Sequence, residues 1–374
     1  MKVLDQVPSF NLYGHSSDGE EYWRHLDYIV NSAASRGIYI GMVCIWGNAL
    51  KASGMDEKGA QQYGKFLADR YKKYPNIIWI IGGDIRGDVR TSVWEALASI
   101  IRTEDKEHLI TFHPRGRTTS ATWFNDSSWL DFNMFQSGHR RYGQRRGDKE
   151  YPIEENTEED NWRYVEKSFM TPVKPVLDGE PVYENIPQGL GNEDGEMWNA
   201  KDVRRYAYWS VFAGSCGHTY GNNSIMQFLK PGVSPAFDAH EMWWDALSDP
   251  GFLQMKYLKK LMLSFPYFER IPDQSIVAGK NGERYDRLIA TRGNDYLMVY
   301  NYSGCPMQID LTKISGEKKS LWWYNPRNGE FTPAGESDSK VISVMRDIPY
   351  MRGYDGVFIA FDASKGYLKK PEAG

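Results

Sequence analysis

NIIWIIGGD (residues 76–84) is an apolar run without polar alternation that stops on two glycines and a carboxylate. A strand with one wet face alternates apolar and polar residues, so a run like this is buried on both faces, as in a parallel sheet covered by helices. Upstream, EKGAQQYGKFLADRYKKY (57–74) has helical spacing and stops at Pro75. Further upstream, Trp23, Leu26, Ile29, Val30 and Ala33 share one face of a predicted helix over 22–36, which Gly37 ends before the buried-type strand IYIGMVCIWG (38–47). The alternation continues downstream through helix 92–105, strands LITFHP (109–114) and DFNMFQSGH (131–139), helix 161–170 and strand KPVLDGE (174–180). Helix 200–214, the short strand GHTYG (217–221) and a long helix over 239–264 follow.

Repeated strand and helix units predict an α/β fold with a parallel sheet. No glycine-rich dinucleotide fingerprint or phosphate loop follows any strand, which speaks against a nucleotide-binding sheet. Instead a polar or aromatic residue closes every strand: Trp46, Asp84, His113, Gln136 with His139, Glu180, and His218 with Tyr220. A TIM-type (β/α)8 barrel builds its active site at that end, from several strands. After Pro266 the pattern changes to short alternating runs between Gly, Asn and Asp turns: SIVAGK, DRLIATRG, YLMVYNYSG, MQIDLTK, KSLWWYNPRNGEF and GVFIAFDA. These predict a C-terminal antiparallel β-sandwich. The expected division is a barrel over 1–266 and a sandwich over 267–374.

A net charge of −4 gives no electrostatic case for binding nucleic acid or an anionic membrane, and no apolar run is long enough to span a bilayer. Three scattered cysteines, Cys44, Cys216 and Cys305, make neither a disulfide framework nor a zinc pattern. No His, Asp or Glu cluster has ligand spacing, so neither metal nor cofactor is expected. The 13 Trp, 24 Tyr and 16 Phe are a surplus that suits carbohydrate, whose C–H faces stack on aromatic rings.

Asp84 and Glu180 are the carboxylates that end buried-type strands directly at a turn, in GGD and DGE contexts where glycine allows a ligand close to the backbone. Facing one another across a barrel mouth, two such acids suit glycoside hydrolysis, with carboxyl groups about 5–5.5 Å apart in a retaining enzyme. Helix capping by Asp84 and a rim ion pair of Glu180 are the structural alternatives.

YPNIIWIIGGD (74–84), the whole stretch 109–139, KPVLDGEPVYE (174–184) and WWYNPRNGEFTPAG (322–335) resemble the apiosidase-like family of glycoside hydrolases. The resemblance runs over nearly all of the chain. It implies a catalytic (β/α)8 barrel followed by a β-sandwich formerly named for collagen binding, and a retaining hydrolase acting on apiosyl side chains of plant cell-wall pectin. By the same resemblance Asp84 is the acid/base and Glu180 the nucleophile. The other strand ends then become candidate subsite residues: His113, Gln136, His139 and His218 for sugar hydroxyls, Trp46 and Tyr220 for stacking. Tyr183 is a candidate hydrogen-bond partner of the nucleophile. Glu184 is expected to anchor its loop to an arginine, Asp88 to cap a helix, and Arg115 and Arg117 to offer an acidic sugar a partner.

One departure stands out. Only six strand units precede the β region, whereas family members begin with a secretion signal and two further strand–helix units. The barrel is therefore expected to lack its first two strand units. Location then depends on the true N-terminus, periplasmic or extracellular if Met1 is a truncation point and cytoplasmic otherwise. The competing readings are another sugar specificity on the same scaffold, or a non-catalytic carbohydrate-binding protein derived from it. The expected partner in every case is an oligosaccharide or polysaccharide; the pattern is silent on oligomeric state.

Overall fold

The computed structural model describes residues 17–144, 158–191, 195–346 and 350–368. The chain forms two compact units, Met1–Gln136 with Lys167–Gly179, and Ser137–Glu166 with Glu180–Gly374.

In the first unit three parallel strands, β1 (Ile40–Val43), β2 (Ile77–Ile85) and β3 (Ile110–Pro114), lie side by side, with Ile40 opposite Ile77 and Trp79 opposite Ile110. Helix α1 (Ser17–Ala34) precedes β1, α2 (Gly47–Ser53) and α3 (Glu57–Tyr71) lead into β2, and α4 (Thr91–Glu104) leads into β3. Helix α3 begins where the Asp56 carboxylate accepts the Gly59 amide at 2.8 Å, which satisfies one of the four orphan donors of a helix start. Its buried residues Ala60, Gly64, Leu67, Ala68 and Tyr71 repeat at helical spacing and pack against α4. A Cβ on Gly64 would stand 2.5 Å from Ile100 and 3.0 Å from Leu97, so this glycine sets how closely the two helices approach. Trp79 and Ile81 are fully buried beneath them, and the Trp79 indole N–H donates to Asp105 at 2.8 Å.

Beyond β3, β4 (Thr118–Thr119) folds back antiparallel on β5 (Asn133–Gln136), and β5 pairs in parallel with β6 (Val176–Asp178). Strand β5 also lies beside β3, where the Thr111 hydroxyl donates to the Phe132 carbonyl at 2.7 Å.

In the second unit β7 (Tyr183–Glu184) pairs in parallel with β9 (Gly221–Asn222), and β8 (Gly217–His218) precedes β9. Helices α5 (Ala200–Phe212) and α6 (Pro250–Leu263) pack together. A reciprocal capping box of Asn199 and Asp202 opens α5. The helix expected over 239–264 starts instead at Pro250, whose missing N–H is harmless at the first helical position. The residues before it run in turns, with Phe237 and Asp238 held at φ of 50° and 52°.

The C-terminal part is antiparallel, as expected. Strands β10 (Ile271–Pro272), β11 (Ile289–Arg292), β12 (Tyr296–Asn301), β17 (Gly356–Asp362), β14 (Lys319–Asn325) and β15 (Glu330–Ser337) form one sheet in that spatial order. Strands β13 (Met307–Asp310) and β16 (Val341–Val344) pair separately. Leu297, Val299, Phe358 and Ala360 of the larger sheet share an apolar core with Met307 and Ile309 of the smaller one. SIVAGK is not a strand. Its first residues complete a 3-10 turn, Gln274–Ile276, because the Asp273 carboxylate accepts the Ser275 amide at 3.0 Å and bends the chain locally.

Two adjacent arginines of α5 are buried. Arg204 grips Asp355 with two bonds of 3.0 and 2.7 Å, and Asp355 also accepts from the Tyr300 hydroxyl and from Arg327, both at 3.0 Å. Arg205 meets Glu159 at 2.5 Å with neither side chain exposed, ringed by Tyr206, Trp209, Tyr285 and Tyr302. Charges taken this far out of water persist only where an opposite charge answers them. Among the described residues no helix is long and apolar enough to cross a membrane.

Candidate active site

The first unit brings Trp46, Asp84 and His113 together. Gly82, Gly83 and Asp84 have φ of 82°, 135° and 47°, and the pairing of β2 with β3 is interrupted between Gly82 and Ile85. This irregularity turns Asp84 outward from a strand whose flanking residues are buried, leaving its side chain exposed. The Asp84 amide donates to His113 Nδ1 at 3.3 Å, which leaves Nε2 of the neutral ring to carry the proton. The Trp46 ring lies 5.6 Å from the His113 ring.

The glycines let neighbouring side chains approach the backbone closely. A Cβ on Gly83 would stand 2.5 Å from the Trp46 indole, one on Gly82 would meet Phe112 at 2.7 Å, and one on Gly179 would collide with Met134. Gly83→Ala should therefore displace Trp46 and strain a left-handed backbone, destabilising the fold by about 1–3 kcal/mol. Urea denaturation would register this as a lower midpoint at unchanged slope, and a wild-type midpoint would refute the packing account.

Gln136 ends β5 and is buried, with its Oε1 unpartnered among the described residues. Arg117 follows at φ 69°, its amide donating to the Gln136 carbonyl at 2.5 Å, and its Nε and Nη1 are likewise buried without partners. An acceptor and two donors are thus available beside one strand end. Asp88 does not cap α4. It pairs with Arg86, while the residue preceding the helix is Arg90, in the left-handed region.

The second unit holds the other candidate acid. His139 Nε2 lies 3.2 Å from Glu180 Oε1, and the Tyr183 ring meets the His139 ring edge to face with centroids 4.7 Å apart. The backbone repeats the link, since the Gly138 amide donates to the Glu180 carbonyl at 3.1 Å. His139 Nδ1 is buried and has no partner among the described residues, and its Nε2, facing the carboxylate, fixes the orientation of Glu180.

Glu184 has no arginine. Its buried carboxylate accepts the Tyr220 hydroxyl at 2.6 Å and the Gly251 amide at 2.9 Å. Gly251 is the second residue of α6, so Glu184 neutralises a helix N-terminus from another strand, where backbone donors replace the expected cation. Tyr220 is correspondingly engaged in this scaffold, its ring against Phe252. His218 is half-buried with both nitrogens inaccessible, and burial pushes its imidazole down to about 3, keeping it neutral.

Asp249 sits beside this cluster and accepts from Asn185 at 2.9 Å and Asn222 at 2.7 Å. Burial first, then the Glu184 and Glu241 charges, push its carboxyl from the ordinary 3.8 to about 6. An acid raised by folding contributes stability that is fully present below its unfolded pKa and is lost as pH rises through the folded one. Asp249→Asn keeps an acceptor for the two asparagines and removes the charge. Its melting temperature should fall less than that of the wild type between pH 4 and 7, and identical pH profiles would contradict the assignment.

Among the described residues no group of three or more His, Cys, Asp or Glu side chains gathers as a metal site. The family model "Apiosidase-like, catalytic domain" matches residues 3–269, and "Putative collagen-binding domain of a collagenase" matches residues 271–360. A solved structure described as a glycoside hydrolase is similar with a TM-score of 0.94 and 63% identity, over 97% of this chain and 82% of that one. A crystal structure of a glycoside hydrolase family 5 protein from Bacteroides vulgatus ATCC 8482 has a TM-score of 0.94 and 65% identity, over 98% of this chain and 80% of that one. No curated protein matches the sequence.

Proposed function

The chain belongs to the apiosidase-like family of glycoside hydrolases, and from that premise we propose that it is a retaining glycosidase removing apiosyl-type side chains from plant cell-wall polysaccharide. In this reading the parallel strands belong to a TIM-type barrel. Glu180 attacks the anomeric carbon while Asp84 protonates the departing oxygen. Asp84 then deprotonates the water that hydrolyses the glycosyl-enzyme.

The observation that supports the reading best is the His139–Glu180 pair at 3.2 Å, with His139 Nδ1 buried and unpartnered. A nucleophilic carboxylate must be aimed at one point, and a histidine ring held by packing against Tyr183 supplies that condition. The placement of Asp84 adds to this, because a carboxylate exposed at an interruption of its strand faces solvent, from which a glycosidic oxygen would approach. Trp46 and His113 beside it supply a ring face and an N–H donor for the sugar.

The test is the first-formed product. Incubation with apiosyl-bearing pectic polysaccharide should release the branched pentose, and proton NMR in the first minutes should show the anomeric configuration of the substrate. Release of a different sugar would move the specificity elsewhere on the same mechanism. Inverted product would rule out the nucleophile assignment, and absence of any release from a panel of plant glycans would leave carbohydrate binding without turnover.

A further inference from the structure

We propose that the second unit carries a separate, non-hydrolytic site for a carboxylate-bearing sugar, in a cavity of about 530 Å³ walled by Tyr142, Arg284, Tyr285, Ser303, Tyr350 and Arg352. The proposal rests on the carbohydrate-directed reading above, but it uses neither Asp84 nor Glu180.

The walls are built and rigid. Tyr142 and Tyr285 meet edge to face with centroids 5.2 Å apart. The Tyr285 hydroxyl donates to Glu159 at 2.7 Å and that of Tyr142 donates to Asp160, both acids being buried. Glu159 is in turn held by the buried Arg205. With both hydroxyls tied from behind, the rings cannot swing away. Sugar C–H faces, slightly positive, pack on the negative faces and edges that such fixed rings present.

The arginines give the site its sign. Arg352 lies 3.9 Å above the Tyr285 ring and Arg284 lies 5.2 Å above Tyr142. Neither guanidinium makes an ion pair or side-chain hydrogen bond among the described residues, although Glu283 and Asp286 line the same cavity. Asp286 is already engaged by the Tyr350 hydroxyl, which pushes that phenol up to about 12. A guanidinium held over a ring still has N–H groups to donate, and its fork matches the two oxygens of a carboxylate. A neutral sugar would leave two such forks unused.

Ser303, only 2% exposed, adds a hydroxyl to the cavity lining. The cavity volume falls within the range of small-ligand pockets and admits roughly one or two sugar rings.

The experiment is affinity electrophoresis of the full chain through gels containing polygalacturonate or, as a neutral control, galactan. Three proteins are compared: wild type, Glu180→Gln, and the double variant Arg284→Ala/Arg352→Ala. Wild type and Glu180→Gln should be retarded equally by polygalacturonate and little by galactan. The double variant should lose at least about tenfold in affinity, roughly 1.4 kcal/mol. Arg352→Lys, which keeps the charge and loses the fork, should fall between and guards against misfolding of the double variant. Wild-type rates on a small aryl glycoside would show that the arginine variants are folded. Undiminished retardation of the arginine variants, equal retardation by galactan, or loss of retardation in Glu180→Gln would each overturn the proposal. Loss of hydrolysis alone in Glu180→Gln bears on the catalytic reading and leaves this site standing.

Discussion

Glu180→Gln should abolish turnover of every glycoside, activated or not, because without the carboxylate no glycosyl-enzyme can form. The loss should exceed the 10²–10⁴-fold that positioned proton transfer supplies. Truncation to Ala or Gly should open room for azide beside the anomeric carbon. Direct displacement by azide then yields a glycosyl azide of inverted configuration, readable by NMR. The amide should leave the fold intact, since Gln retains an acceptor for His139 Nε2, 3.2 Å from the present carboxylate oxygen. A Glu180→Gln protein that hydrolyses aryl glycosides at the wild-type rate would end the nucleophile assignment.

Asp84→Asn should behave differently, and the difference is the stronger evidence. Protonation matters most for a poor leaving group such as a sugar alkoxide and little for a nitrophenolate. Hydrolysis of the polysaccharide should therefore fall by about 10²–10⁴-fold. The first step on activated aryl glycosides should survive, and added azide should accelerate the second step to give an azide of retained configuration. Asp84 is exposed and its link to His113 runs through the backbone amide, so the substitution leaves that contact in place. If both variants respond alike to leaving group and azide, the two roles are wrongly assigned.

What could be read from sequence follows from which forces are local. The β2 strand was legible because burial on both faces writes an unbroken apolar run, and α3 because its helical spacing and the stop at Pro75 are both local. The short α2 has too few turns for a periodic signal. The start of α6 was missed because the aromatic residues Trp243 and Trp244 at apolar spacing imitate a helix, whereas the chain there runs in turns closed by a 3-10 turn, Ala246–Ser248. Asp84 and Glu180 stood out as carboxylates at strand ends. The partners of Glu184 did not, because a backbone amide from a helix 67 residues away leaves no mark on residue type. The unpartnered atoms of Arg117 and Gln136 are properties of burial, which one sequence does not display.

The grip of Arg204 on Asp355 bears on how such chains are inherited and dissected. Family models divide the chain between residues 269 and 271, as though the C-terminal part were a cassette to be shuffled among enzymes. Asp355 is wholly inaccessible in the last strand region, and a principal partner lies in α5, 151 residues earlier. A cassette excised at that border would carry away a desolvated anion with only Tyr300 and Arg327 to answer it. Recombination at the border is thus penalised unless the incoming neighbour brings an arginine to the same place.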